Sequence, residues 1–137
     1  SAEGGRGTCG CLVDWACAAK TSDRASGLPF KKRGDFQAAE LLKSRVGPRT
    51  DVYGAATTLL WLLTRRTRKA LDLSAPKLAE FFASEVEHGG CGTVCGPEQC
   101  LALAKAISWG TEESWDDRCP SIAGLRDGAA AALRDIE

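Results

Sequence analysis

His88, Cys91, Cys95 and Cys100 place one imidazole and three thiols within a short stretch, spaced His-x2-Cys-x3-Cys-x4-Cys. Such a set can hold tetrahedral zinc, close a local disulfide from Cys91 to Cys95 or Cys100, or stay as plain thiols. The spacing departs from the C-x2-C knuckle of structural zinc sites, and Pro97-Glu98 reads as the start of a helix that already carries Cys100. The chain has seven cysteines, an odd number, so full oxidation would leave one thiol over or paired with another chain. Asp14, followed by Trp15 and Ala16, is a lone carboxylate without companion ligands and makes a poor magnesium site. His88 is the single histidine and sits beside glycines and cysteines, which leaves a Ser-His-Asp or Cys-His hydrolytic centre little to work with.

The elements that must position these residues belong to a globular chain of 137 residues, 44% hydrophobic, 26% charged and formally neutral. That balance favours neither nucleic acid nor membrane by bulk electrostatics. One domain spanning residues 1–137 is expected. A chain of this size buries roughly two thirds of its unfolded surface, so neither metal nor disulfide is obligatory for a core. No residue is methionine, which predicts that something upstream was removed. The polar, glycine-rich start has no apolar signal region, and the longest apolar run, Leu59 to Leu63, is far too short to span a bilayer. The compartment stays open: reduced thiols suit the cytoplasm, and an organelle reached after processing suits the missing methionine.

Cys11-Leu12-Val13-Asp14-Trp15 is short and apolar, which predicts a buried strand or hairpin arm, and residues 17–34 carry the turn formers and charges of a loop. Asp35 is expected to cap a short helix with Phe36, Ala39, Leu41 and Leu42 at helical spacing, ending near Gly47-Pro48. Thr50 or Asp51 would cap the strongest helix, apolar almost all round from Val52 to Leu63, which should lie wrapped in the middle of the domain. The cations from Arg65 to Lys69 suit the negative end of that helix or form a binding patch. Ser74-Ala75-Pro76 opens an amphipathic helix, Pro97-Glu98 another that ends at Gly110, and Ser121 caps a last one carrying Ile122, Leu125, Ala129, Leu133 and Ile136.

Four of these segments together resemble the C-terminal lobe of a protein kinase. Leu12-Val13-Asp14-Trp15-Ala16 is similar to the strand ending in D-F-G, and Gly34 to Leu42 resembles the stretch around A-P-E. Asp51-Val52-Tyr53 with its apolar run resembles the buried D-V-Y helix, and Asp116 to Leu125, through Arg118-Cys119-Pro120-Ser121, resembles the late R-P-S motif. The resemblance implies a mainly α, kinase C-lobe-like bundle around a central apolar helix, with a short N-terminal strand or hairpin. It also implies that Glu40 and Arg118 form a largely buried ion pair, and that Asp51 braces a catalytic loop if one exists.

The departures argue against catalysis. Phosphoryl transfer needs a glycine-rich loop, a lysine with its glutamate, an H-R-D aspartate with its asparagine, and the D-F-G aspartate, and of these only Asp14 has a counterpart here. Trp15-Ala16 replaces Phe-Gly, Ala39 replaces the proline of A-P-E, and Arg33 stands where a substrate-positioning threonine is expected. The resemblance therefore implies a pseudokinase or a module like the KIND domain, acting as a non-catalytic scaffold or assembly subunit. The alternatives are the C-terminal fragment of a longer Ser/Thr kinase and a small cysteine-rich subunit held by zinc or disulfides. No cofactor is expected, zinc at His88, Cys91, Cys95 and Cys100 being the exception to test. A lobe without its N-terminal half exposes the face near Leu12 and Trp15, which with Lys31, Lys32 and Arg33 is expected to meet a protein partner.

Overall fold

The computed structural model describes residue 11 and residues 33–43, 46–87 and 96–132. Over these residues the protein is mainly helical: α1 Pro48–Thr64, α2 Ala75–Glu87, α3 Pro97–Gly110 and α4 Ile122–Ala131, with short 3-10 turns at Ala39–Lys43 and Arg68–Ala70. The expected N-terminal strand, with Leu12, Asp14, Trp15 and Ala16, lies outside the described residues, as do Lys31 and Lys32. Among the described residues no helix is long and apolar enough to cross a membrane.

Helix α1 starts earlier than its sequence suggests. Proline has no N–H to lose at the first helical position and its φ is already set, so the helix begins at Pro48 and Gly47 becomes the cap. The expected cap at Thr50 or Asp51 is thereby corrected. Thr50, in the first turn, reaches back instead, its Oγ1 accepting from the Gly47 N–H at 3.2 Å. Asp51 is exposed in the same turn, where its charge suits the positive helix end without capping it.

Asp35 does not open a helix either. Its carboxylate pairs with Lys69 at 3.2 Å. The local turn is made by Gln37, whose Oε1 accepts from the Gly34 N–H at 2.8 Å. The chain then passes directly into the Ala39–Lys43 turn, which aims Glu40 inward.

The helix expected at the centre also changes. Trp61 and Leu62 on α1 are 37% and 54% exposed, so among the described residues α1 is covered along one side only. It is α3 that packs against each of α1, α2 and α4. Its small buried residues Cys100, Ala104, Ala106 and Gly110 let three neighbours approach, which bulky side chains would prevent. One core cluster joins Leu60, Leu78, Phe82, Cys100, Ala104 and Ile107, and a second joins Val52, Ala56, Ala106, Cys119 and Leu125. Burying each large aliphatic side chain in them contributes about 1.5–3 kcal/mol.

The tightest approach is at Gly110, where a β-carbon would lie 2.6 Å from Ala56 Cβ and 3.2 Å from Leu125 Cδ1. Gly110→Ala is accordingly expected to destabilise the protein by about 1–3 kcal/mol through overpacking, despite alanine's better helix propensity. A urea midpoint at or above that of the parent protein would contradict this account.

Helix α4 follows its sequence signal. Ser121 Oγ accepts from the Gly124 N–H at 3.1 Å, a side-chain cap. The preceding Cys119 is fully buried, and its thiol donates to the Ser121 carbonyl at 3.2 Å.

Candidate functional site

Where the Ala39–Lys43 turn, the first turn of α1 and the loop before α4 meet, charged side chains are buried together. Arg118 has a side chain 0% exposed, against Glu40 at 11%. Its Nη1 and Nη2 donate to the two carboxylate oxygens of Glu40, the second at 3.2 Å. Nη1 also donates to the Arg49 carbonyl at 3.0 Å, Nη2 to that of Glu113 at 3.3 Å, and Nε to that of Glu112 at 2.8 Å. All five N–H donors of the guanidinium are thus used, which is what a charge this deep requires.

Two neighbours complete the arrangement. Thr50 Oγ1 donates to Glu40 Oε1 at 3.1 Å while accepting from Gly47, tying the start of α1 to the ion pair. Arg49 Nη1 donates to the carbonyls of Trp115 and Arg118, each at 2.8 Å, and of Asp116 at 3.3 Å. Arg49 and Arg118 therefore each bind the other's backbone. Burial acts to raise the Glu40 carboxyl, but the Arg118 guanidinium and the surrounding donors outweigh it and hold the group below the usual carboxylate range.

Tyr53 links this node to a second one. Its ring lies under the guanidiniums of both Arg118 and Arg33, at 5.0 and 5.2 Å from the centroid. Its hydroxyl accepts from Arg33 Nη2 at 2.7 Å and donates to Glu113 Oε1 at 3.2 Å. Arg33 also pairs directly with Glu113 at 2.8 Å and donates from Nε to the Gln37 carbonyl at 2.8 Å. The Arg33 guanidinium, expected at a partner interface, is thus engaged within the fold by a tyrosine hydroxyl, a carboxylate and a carbonyl, with its side chain 20% exposed.

Burial first, and then the nearby Glu113 charge, push the Tyr53 phenol up to about 12. Tyr53 is the single tyrosine of the chain, so its ionisation is observable without interference. In the native protein the phenolate absorbance is expected to rise with a midpoint near 12, and in concentrated urea near the ordinary value of about 10. Because the folded value is the higher one, the native state binds more protons in this window and stability falls as pH rises from about 10 towards 12. Coincident midpoints in both states would sink the burial argument.

Beside Glu113 a surface hollow of about 370 Å³ is lined by Asp72, Leu73, Ser74, Ser108, Thr111, Glu112 and Glu113. Its lining offers three carboxylates and no cation, the wrong sign for a nucleotide triphosphate.

Of the remaining residues singled out from sequence, Asp51 lies at the surface, outside the hydrogen bonds that hold the ion pair, and Cys100 is buried in the core between α1, α2 and α3. His88, Cys91 and Cys95 lie outside the described residues. Among the described residues no three potential ligands gather as a metal site. Sequence reasoning missed Arg49 and Glu113 altogether, and placed Thr50 only as a helix cap and Tyr53 only as part of the apolar helix. The local signals were a polar pair after Pro48 and one phenol hydroxyl among the apolar side chains of that helix. A comparison of the chain with protein-family models, with curated proteins and with solved structures finds no match to any of them.

Proposed function

We propose that this chain is a non-catalytic module built like the C-terminal lobe of a protein kinase, and that it works by binding a protein partner. The observation that carries the proposal is the buried Glu40–Arg118 pair, which joins the Ala-Ala-Glu segment to the Arg-Cys-Pro-Ser segment around the Asp-Val-Tyr helix. Those are the segments through which the sequence resembles that lobe. An arginine this deep fixes how a loop docks on helices; it moves no proton and meets no substrate. The sequence adds that the phosphate-handling groups other than Asp14 have no counterpart, and the acidic hollow adds nothing that would attract ATP.

Thermal unfolding with ATP, in the presence and absence of magnesium, tests the proposal. A ligand that binds only the native state at a hundred times its Kd would stabilise by about 2.7 kcal/mol. The expected result is an unchanged Tm in both conditions. A magnesium-dependent rise would replace the module by a nucleotide-binding, kinase-type protein.

A further inference from the structure

We infer that Arg65 and Arg66, at the end of α1, form a docking ridge for an acidic, carboxylate-rich segment of a protein partner. The inference rests on the reading of the chain as a binding module and names the chemistry of what it binds.

The neighbouring cations are already committed, Lys69 to Asp35 and Arg33 to Glu113 and Tyr53. Among the described residues, by contrast, neither Arg65 nor Arg66 pairs with a carboxylate, whereas the charge of Arg68, in the turn beyond, already acts on Glu113 and Tyr53. Both arginines at the helix end are nevertheless held in place. The Arg65 guanidinium lies over the Trp61 ring at 4.5 Å and that of Arg66 over the Phe81 ring at 5.5 Å. A guanidinium supported on an aromatic ring keeps its N–H edge available as a pre-set fork for a carboxylate. The backbone beneath is pinned too, with Arg65 N–H donating to the Trp61 carbonyl at 2.7 Å and Arg66 N–H to Thr64 Oγ1 at 3.1 Å.

Arg65 also has an uncommon backbone: it is the one non-glycine residue with positive φ among the described residues, at 57°. Glycine adopts that helix-ending conformation without strain, so an arginine there carries a backbone cost. The α1 dipole favours a cation at Arg65 but does not explain that backbone.

A protein segment suits the ridge better than a nucleic acid. The chain has zero formal net charge, and Asp35 and Glu113 stand beside the cations. A continuous track of phosphates would run against those carboxylates, whereas a peptide can place its acidic residues selectively.

The test is a fluorescence-anisotropy titration of the full chain with a labelled oligoglutamate peptide, alongside a thymidine oligonucleotide of matched charge. Saturable peptide binding that weakens with salt is expected. R65E/R66E should lower the affinity on the order of tenfold or more, through loss of charge-assisted hydrogen bonds. R126E, on α4, should leave it unchanged. Arg65→Gly separates the ridge from general damage: relief of the positive φ should raise Tm while peptide affinity falls. No peptide binding at low salt, unchanged affinity in folded R65E/R66E, or tighter binding of the oligonucleotide would each overturn the inference. None of these outcomes touches the module reading, which is tested separately by magnesium-dependent ATP binding and by the stability of Glu40 variants.

Discussion

Glu40→Ala is expected to cost on the order of 3–5 kcal/mol of stability, because it leaves the Arg118 charge buried with no counter-ion. Arg118 cannot reach water, since its side chain is 0% exposed and its remaining bonds go to fixed carbonyls. The expected result is a fall in the urea midpoint with little change in slope. The double variant Glu40→Ala/Arg118→Met should recover part of the loss, since an apolar pair of similar volume replaces a buried ion pair at small net cost. If Glu40→Ala lowered stability no more than a surface substitution, the pair would be peripheral and the functional proposal would lose its main support.

Acid should act through the same contact. Both Glu40 and Glu113 sit below the ordinary carboxylate range, in each case because arginine outweighs the opposing effect of burial. A depressed carboxyl stabilises the fold above its unfolded pKa of about 4.3 and loses that contribution as pH falls through the folded value. Stability should therefore decline below about pH 4, and the decline should be shallower in Glu40→Gln than in the parent.

Tyr53→Ala is the second large effect, at about 3–5 kcal/mol for removing a fully buried aromatic side chain. Two losses add here. The ring volume becomes a cavity in the wall of α1, and Arg33 and Arg118 lose the surface over which both lie. Tyr53→Phe keeps the volume and the cation–π contacts and removes only the hydroxyl, so it should cost about 1 kcal/mol, the worth of an ordinary hydrogen bond. Chemical denaturation of both variants separates the contributions. Equal losses would mean that the hydroxyl bridge from Arg33 to Glu113, and not the ring, holds this corner.

The helices that the sequence announces most clearly are those whose signals are local. Pro97 and Gly110 bracket α3, Ser121 caps α4, and Ser74-Ala75 opens α2, all as their residues suggest. Misreadings arise where a distant contact overrides a local preference. Asp35 has the chemistry of a cap but meets Lys69, and Gly47 caps α1 because Pro48 follows it. The apolar girth of α1 suggested a central helix, whereas packing depends on how closely backbones can approach, and the small residues of α3 decide that. In the candidate site, Glu40 and Arg118 came from a resemblance, which also held Tyr53 but not its hydroxyl's partners; Arg49 and Glu113 could not be placed, because the groups they bond lie sixty positions or more away in the chain.

Arg118 spends three of its five bonds on main-chain carbonyls, and Arg49 spends all three of its bonds the same way. Every residue type carries the same carbonyl, so these bonds do not themselves depend on which side chains stand between Glu112 and Asp117, although the Glu113 carboxylate bonds Tyr53 and Arg33 and the Trp115 ring lies close against Gly47. The exposed side chains of Ser114, Asp116 and Asp117 can change without loosening that grip on the helices. A lobe fastened through its backbone is free to change its surface while keeping its shape.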